Sequence, residues 1–440
     1  MTIKEIRISG LYGYIDKHIY FRDDINLLVG INGSGKTSIL NLLNWMLTPS
    51  LQKLCVTEFR TASVKLVHDG ATYVLTFLKT GKRAVYRVTR RRPRKKSFKP
   101  LTISLMAQIR GYEEDNRQAL EKLYDGLSPT TAEVDTWLFL KELPKPMILG
   151  LDRTMTTRRG GPVEEPVSPI EALRDLANTN YSIYRNQIID FNNELKDKIM
   201  LSAFNVANLG AEKGVGNVAA PTNPKQIEDW KDRIIRYIHQ SPESKGVRRE
   251  DLIAAMKKYF ARLTKRGKAK SLTVEELGLL SIEFQRLQHL VSQLEQFETK
   301  SEKAYTNVKA FLDTTNGFFK DSSKRVLFKK DTNKICFQVL DHNDQPVDGL
   351  RDVLLLSSGE RQLLTLFTFI KFGVGGVFVI DEPELSLHPK WQQEFLNGLK
   401  TLMPPKAQLI MATHSPALVG KNVNYCIPLL PYGERSHAKS

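Results

Sequence analysis

Up to residue 88 the chain mostly alternates apolar and polar positions, the period of strands buried on one face. Ile3, Ile6 and Ile8 open this pattern, residues 15–21 continue it, and residues 64–67, 72–78 and 84–88 predict a meander. Asp69-Gly70 and Thr80-Gly81 supply the turns between those last strands. Ile25–Val29 breaks the alternation with a short unbroken apolar run, the mark of a strand buried on both faces. Ile39, Leu40, Leu42, Leu43 and Met46 then follow helical spacing. Residues 102–141 predict helix, punctuated by Pro144 and Pro146, and residues 147–151 predict one more strand. The Thr-, Gly- and Pro-rich stretch 154–167 reads as a linker, and the basic segment 90–99 with Pro93 as irregular chain.

A different period begins at Ser168-Pro169-Ile170-Glu171, a capping box with proline at the first helical position. Ile170, Leu173, Ala177, Tyr181, Tyr184, Ile188, Phe191 and Leu195 recur at steps of three and four. A second such series follows the box Thr273-x-x-Glu276, through Leu280, Phe284, Leu287, Val291 and Leu294, and resumes at Tyr305, Val308 and Leu312. The near-heptad spacing predicts two long helices, either as a short antiparallel coiled coil or as ordinary helices sharing one core. Between them, 210–223 reads as a loop and 224–270 as a helical, basic knob. Residues 168–315 are therefore expected to be an insertion that divides an α/β domain into halves 1–167 and 316–440. Strands resume at 326–329 and 335–340, and two further apolar runs lie at 377–380 and 408–411.

Between the predicted strand Ile25–Val29 and its helix lies Gly30-Ile31-Asn32-Gly33-Ser34-Gly35-Lys36-Thr37, which fits G-x-x-x-x-G-K-[ST] at every fixed position. Strand, glycine loop and helix make a phosphate cradle: glycines let successive N–H groups face one anion, and the helix start adds its positive dipole end. Gly30, Asn32, Gly33, Ser34, Gly35, Lys36, Thr37 and Ser38 are the expected nucleotide contacts. Lys36 is expected to reach the β- and γ-phosphates of ATP, and the Thr37 hydroxyl to join a Mg²⁺ shell. The run 377–380 ends in Asp381-Glu382. Carboxylates at the C-terminal end of such a strand lie beside the phosphate loop, where open α/β sheets bind ligands. Asp381 is expected to hold Mg²⁺ and Glu382 to orient and deprotonate the attacking water.

Leu356-Ser357-Ser358-Gly359-Glu360-Arg361-Gln362, just before an apolar helix, resembles the L-S-G-G-Q or L-S-G-G-E signature of ABC ATPases, with Ser358 in place of the first glycine. Ala412-Thr413-His414-Ser415-Pro416 resembles the switch histidine after the next strand. Asp381-Glu382-Pro383-Glu384-Leu385-Ser386-Leu387-His388-Pro389 resembles the Walker B and D-loop of SMC-like ATPases, and its E-P-E-x-x-L-H-P wording is typical of the OLD (overcoming lysogenisation defect) group and its defence relatives. The resemblance covers 1–50 and 350–420 closely and the arm only in kind. It implies an ABC-type P-loop NTPase interrupted by a helical insertion, with ATP and Mg²⁺ as cofactors and Lys36, Glu382 and His414 as the hydrolytic group. It further implies that Ser357 and Gly359 act in trans on the γ-phosphate of another protomer, so that a homo-oligomer is built from ATP-dependent head-to-tail dimers. A helical arm between phosphate loop and signature is the SMC-like layout, which disfavours a transporter subunit. No Q-loop glutamine stands out; Gln187 lies inside the arm, and the segment ending at Leu151-Asp152-Arg153 is the alternative place for it.

Composition bears on partners. Lys and Arg number 65 against 48 Asp and Glu, a formal charge of +17. The surplus is concentrated in 82–99, with ten basic residues and no acidic one, and in 245–270, with ten basic and two acidic. Such local patches are either solvated loops or anion-binding surfaces, and on the second reading the ligand is polyanionic, DNA or an acidic DNA-mimicking phage protein. Cys55, Cys336 and Cys426 are too far apart for a zinc hook or a disulfide scaffold. The first residues lead straight into strand pattern rather than a signal peptide, and no apolar run approaches a membrane span, so a soluble cytoplasmic protein is expected. Full OLD nucleases continue past the switch histidine into a Toprim domain, for which the residues after His414 are too few. The resemblance thus implies a separate effector nuclease, of Toprim or HNH type, as in two-gene phage-defence systems such as Septu and PARIS. The expected function is the ATP-hydrolysing regulatory subunit of such a pair. The alternative is a DNA-repair ATPase of the SMC/RecF kind that clamps DNA directly.

Overall fold

The unbroken apolar runs and the alternating ones build separate sheets. A computed structural model of the chain describes residues 1–92, 98–105, 121–150 apart from 123 and 125, 168–204, 224–240, 248–267 and 273–430. Strands β1 (Thr2–Leu11), β2 (Ile15–Tyr20), β4 (Thr61–His68), β5 (Ala71–Thr80), β6 (Arg83–Arg92) and β7 (Leu101–Ser104) form an antiparallel sheet in the order β2-β1-β4-β5-β6-β7. Strands β3 (Ile25–Val29), β8 (Met147–Leu149), β12 (Val377–Asp381), β13 (Gln408–Thr413) and β14 (Cys426–Pro428) form a parallel sheet in the order β14-β3-β13-β12-β8. A third sheet joins β9 (Lys324–Phe328), β10 (Ile335–Val339) and β11 (Arg351–Asp352).

Helix α1 (Lys36–Leu47) is the common core of the first two sheets. Its Ile39, Leu40, Leu42, Leu43, Met46 and Leu47 share one apolar cluster with Tyr73, Leu75 and Phe77 of β5, Val377 and Val379 of β12, and Ile410 and Ala412 of β13. Each large side chain removed from water there contributes about 1.5–3 kcal/mol. Tyr86 is fully buried in the cluster, and its hydroxyl donates to the Met46 carbonyl, so the one polar atom it carries inward is satisfied. Gln408 does the same between sheets: its amide donates to the Ile3 carbonyl at 2.8 Å while its carbonyl accepts the Ile3 N–H at 2.8 Å.

Two expectations need correction. Residues 101–104 are strand rather than helix, paired antiparallel with β6 through Arg83↔Ser104 and Tyr86↔Leu101. Leu101 and Ile103 are buried while Thr102 and Ser104 are exposed, a period of two too short to dominate the helix-like residues after it. Helix is present at Val134–Glu142, and 106–120 lie outside the described residues. The basic segment also starts later than expected as irregular chain, since Arg90 pairs with Tyr73 and Arg92 with Thr72 as the end of β6. The expected linker 154–167 and loop 210–223 fall outside the described residues.

The chain divides into one compact unit of Met1–Asn180 with Ala310–Ser440 and another of Tyr181–Lys309. The second holds residues 181–204 of the long helix Pro169–Phe204, residues 274–309 of the long helix Val274–Phe319, and the helices Pro224–Gln240 and Arg249–Gly267 that come between them in sequence. Leu195, Ile227, Ile234, Phe260, Leu263, Phe284 and Leu287 come from all four helices and form one cluster, so the near-heptad stripes are buried by short helices as well as by each other. Glu194 and Lys300 form an ion pair at 2.7 Å between the two long helices.

Candidate nucleotide site

Glycine geometry shapes the phosphate loop. Gly33 and Gly35 have φ of 81° and 88°, backbone that side-chained residues rarely adopt. A Cβ at Gly30 would meet Ser34 Oγ at 2.6 Å and the Leu429 carbonyl at 2.7 Å, so only glycine fits under the loop. Asn32 and Gly33 form its exposed tip, Ser34 is buried with a hydroxyl that has no partner among the described residues, and Thr37 and Ser38 are half-buried. α1 starts with no side-chain cap and no acid in its first turn, which leaves its first N–H groups available to a ligand. The Lys36 ammonium is buried and donates to the carbonyls of Gly30 at 2.9 Å and Ile31 at 3.2 Å. No carboxylate lies within 4 Å of it among the described residues, and the charge it acts on is the Asp381 carboxylate.

The carboxylates arrive on neighbouring strands. In register, Asp381 of β12 lies opposite Ala412 of β13, and Thr413 lies opposite Val29 of β3, so phosphate loop, Asp381-Glu382 and His414 leave the same end of three adjacent parallel strands. Burial raises the Asp381 carboxyl above its usual range; the Thr37 hydroxyl and Lys36 oppose that shift, while the charges of Glu382 and Glu384 add to it. Asp381 Oδ1 is buried without a hydrogen-bond partner among the described residues, a ligand atom that fits a cation. Glu382 takes φ 45° and ψ 57°, a strained conformation for a residue with a side chain, and its N–H donates to the Ala412 carbonyl at 2.9 Å. His414 Nδ1 lies 3.7 Å from Glu382 Oε1 and 3.2 Å from Glu384 Oε1.

The signature segment is tied to the turn that follows β12 rather than to the phosphate loop. Ser357 caps the helix Ser358–Phe372 in a complete capping box with Glu360, whose carboxylate is buried against Lys324 at 2.8 Å. A Cβ at Gly359 would overlap the Ser386 carbonyl, so glycine permits this close approach. Gln362 Nε2 donates to the Pro383 carbonyl at 3.0 Å. Among the described residues no hydrogen bond joins Ser357 or Gly359 to residues 30–38. His388 caps the next helix, Pro389–Leu402, through its ring nitrogen.

Sequence reasoning quoted Glu384 in its motif without giving it a role, and passed over Gln392. Glu384 Oε1 accepts from Thr413 Oγ1 at 2.7 Å and from the His414 N–H at 2.8 Å. Gln392 donates to the Leu387 carbonyl at 2.9 Å and accepts from Ser415 Oγ at 2.6 Å. The second glutamate of E-P-E was the available signal; the partner it reaches is a tertiary fact.

A parallel sheet with this loop at the end of one strand, paired carboxylates and a histidine on its neighbours, and a helical insertion before the signature defines a P-loop NTPase of the ABC ATPase type. Residues 25–420 match the family described as "AAA domain, putative AbiEii toxin, Type IV TA system", and the chain belongs to that family. It is similar to the "Retron Vc95 probable ATPase" of Vibrio cholerae serotype O1 biovar El Tor, 29% identical over an alignment of 168 residues that covers 34% of this chain and 32% of that protein. It is also similar to "Septu protein PtuA" of Bacillus thuringiensis, 48% identical over 44 residues, 10% of this chain and 11% of the relative. The matched regions thus span about a third and about a tenth of those relatives. Among solved structures, the SMC head domain from Thermotoga maritima aligns with a TM-score of 0.37 at 13% identity, over 95% of this chain and 91% of that one. Among the described residues no helix is long and apolar enough to cross a membrane.

Proposed function

We propose that this chain is the ATP-binding and ATP-hydrolysing regulatory subunit of a bacterial anti-phage defence pair, assembled through ATP-sandwich dimers and controlling a separate effector nuclease. One observation carries the ATPase reading: a buried Lys36 that among the described residues bonds only to loop carbonyls, an Asp381 oxygen with no hydrogen-bond partner among them, and Glu382 beside His414 converge at one end of β3, β12 and β13. Asp381 and Thr37 would hold Mg²⁺, which when bound offsets phosphate charge. Lys36 and the α1 N–H groups bind phosphate, Glu382 takes the proton of the attacking water, and His414 faces the γ-phosphate. The family and the similarity to retron and Septu proteins support the defence setting. The sandwich is supported by exposed apolar side chains around the site: Ile31 on the phosphate loop, Leu355 before the signature and Leu385 after β12 are 66%, 69% and 56% exposed. A second copy of the chain would cover them.

Turnover is slow and regulatory in this reading, because its purpose is to time release of the effector. The test is co-expression with the product of a neighbouring nuclease gene. Glu382→Gln should bind ATP, hydrolyse it at least a hundredfold more slowly and retain the nuclease, whereas Lys36→Ala should lose nucleotide and nuclease together. Equal loss of ATP affinity in both variants contradicts the assignment of Glu382.

A second reading, direct clamping of DNA, is favoured by the outer face of the antiparallel sheet. Arg83 and Arg87 stand on one face of β6, exposed and without an ion pair among the described residues. Arg87 lies opposite Thr76, and Arg83 lies opposite Ser104, so hydroxyls flank the guanidinium groups. Guanidinium and hydroxyl groups with little acid between them suit a phosphate backbone. Duplex binding that weakens steeply from low to high salt, and less steeply in Arg83→Ala/Arg87→Ala, supports it; salt-independent binding removes it.

A further inference from the structure

Glu384 is a buried carboxylate with no role in the phosphate loop, the cation site or the attack on water. Its side chain is 4% exposed, and its Oε2 is buried with no hydrogen-bond partner among the described residues. A carboxylate in that setting is costly unless its other oxygen is well served. Oε1 is served by one strand end only: the Thr413 hydroxyl at 2.7 Å, the His414 N–H at 2.8 Å and the His414 ring at 3.2 Å. Two helices fix the backbone of its turn. Gln362 donates to the Pro383 carbonyl at 3.0 Å, and Gln392 donates to the Glu384 carbonyl at 3.3 Å.

We propose that Glu384 is the positioning residue of the hydrolytic site, acting through His414. This rests on the ATPase reading above. A ring nitrogen turned toward a carboxylate carries the hydrogen, so Nδ1, 3.2 Å from Glu384 Oε1, is assigned the proton and the carboxylate restrains the ring. Nε2 has no partner among the described residues and is the atom left to meet the γ-phosphate. Glu382, at 3.7 Å from Nδ1, is the other charge facing this ring, and it is also the proposed base. Glu384 therefore leaves Glu382 free to address water, because His414 has its own dedicated acceptor.

The test combines kinetics with a readout independent of turnover. Glu384→Gln keeps acceptors for the Thr413 hydroxyl and the His414 N–H, so it should fold, and should lower kcat about ten- to a hundredfold with ATP affinity within about twofold. In a His414→Ala background the same change should cost less than about twofold, since the group it acts through is already gone. A loss as large in that background as in the wild type overturns the proposal. ¹⁵N-histidine NMR of the nucleotide-free protein, with the His414 signals identified by their loss in His414→Ala, should show Nδ1 protonated. Protonation at Nε2 alone also overturns it. Absence of turnover in the wild-type protein would overturn the ATPase reading instead, and the NMR arm would still decide the Glu384–His414 contact.

Discussion

Asp381 illustrates a residue that the nucleotide-free fold tolerates rather than needs. Its carboxyl is raised by burial, and one of its oxygens has no partner. A group with a raised folded pKa contributes its stability below the unfolded value, near 3.8, and that contribution is lost as pH rises through the folded value. Ionising this carboxylate in the nucleotide-free protein therefore costs stability. Asp381→Asn should raise apo stability by about 1–2 kcal/mol and abolish Mg²⁺-dependent turnover; thermal melts with and without Mg²⁺-ATP read both effects. Lys79 titrates with the opposite sign. Burial lowers its ammonium to about 8, although it donates to the carbonyls of Cys55 and Thr57 and sits 4.4 Å over the Phe59 ring. A lysine with a depressed folded pKa favours the fold in its neutral form, so its contribution is present above 10.5 and is lost as pH falls toward about 8. Stability should rise by about 2–3 kcal/mol between those pH values, and Lys79→Met should flatten the rise in denaturant titrations.

The elements of the site differ in how far their own sequences specify them. The phosphate loop is legible because its requirements are local: glycines at positive φ, a strand before and an amphipathic helix after. The carboxylate strand is legible for the same reason, as four apolar residues ending in Asp381-Glu382 announce a buried parallel strand. β7 was read as helix because four alternating residues are too few to outweigh their neighbours, and their real determinant is pairing with β6. The attachments between elements were not legible. Lys324 of β9 meets Glu360 of the signature helix across 36 residues of sequence, and Thr413 meets Glu384 across 29. Nothing in spacing predicts either. The contact of Gly359 with the Ser386 carbonyl is of this kind, and it makes a sharp prediction. Gly359→Ala forces the signature helix off the turn, at about 1–3 kcal/mol of stability. ATP binding by the monomer should survive, since no residue of 30–38 is touched, while turnover should fall at least tenfold. A calorimetric titration beside a turnover assay separates the two.

In the whole molecule, the unexplained feature is that the signature helix and the phosphate loop of one chain make no hydrogen bond to each other among the described residues, although both carry exposed ends rich in N–H donors. The head-to-tail pair proposed above would resolve this by supplying each loop with the other copy's signature, and the exposed Ile31, Leu355 and Leu385 would then be the apolar rim of the contact. That arrangement has an arithmetic consequence. Lys36→Ala damages only the loop of its own chain, and Ser357→Arg only the signature it offers to a partner. Each variant alone forms pairs in which both composite sites are broken. In a mixed pair, one site unites both defects and the other unites an intact loop with an intact signature. An equimolar mixture should therefore recover up to about a quarter of wild-type turnover, because about half the pairs are mixed and each has one working site. The recovered rate should fall on dilution, as expected of an association. A mixture as inactive as its parents at every concentration would mean that the signature does not act across the pair, and the exposed apolar rim would then need a different occupant.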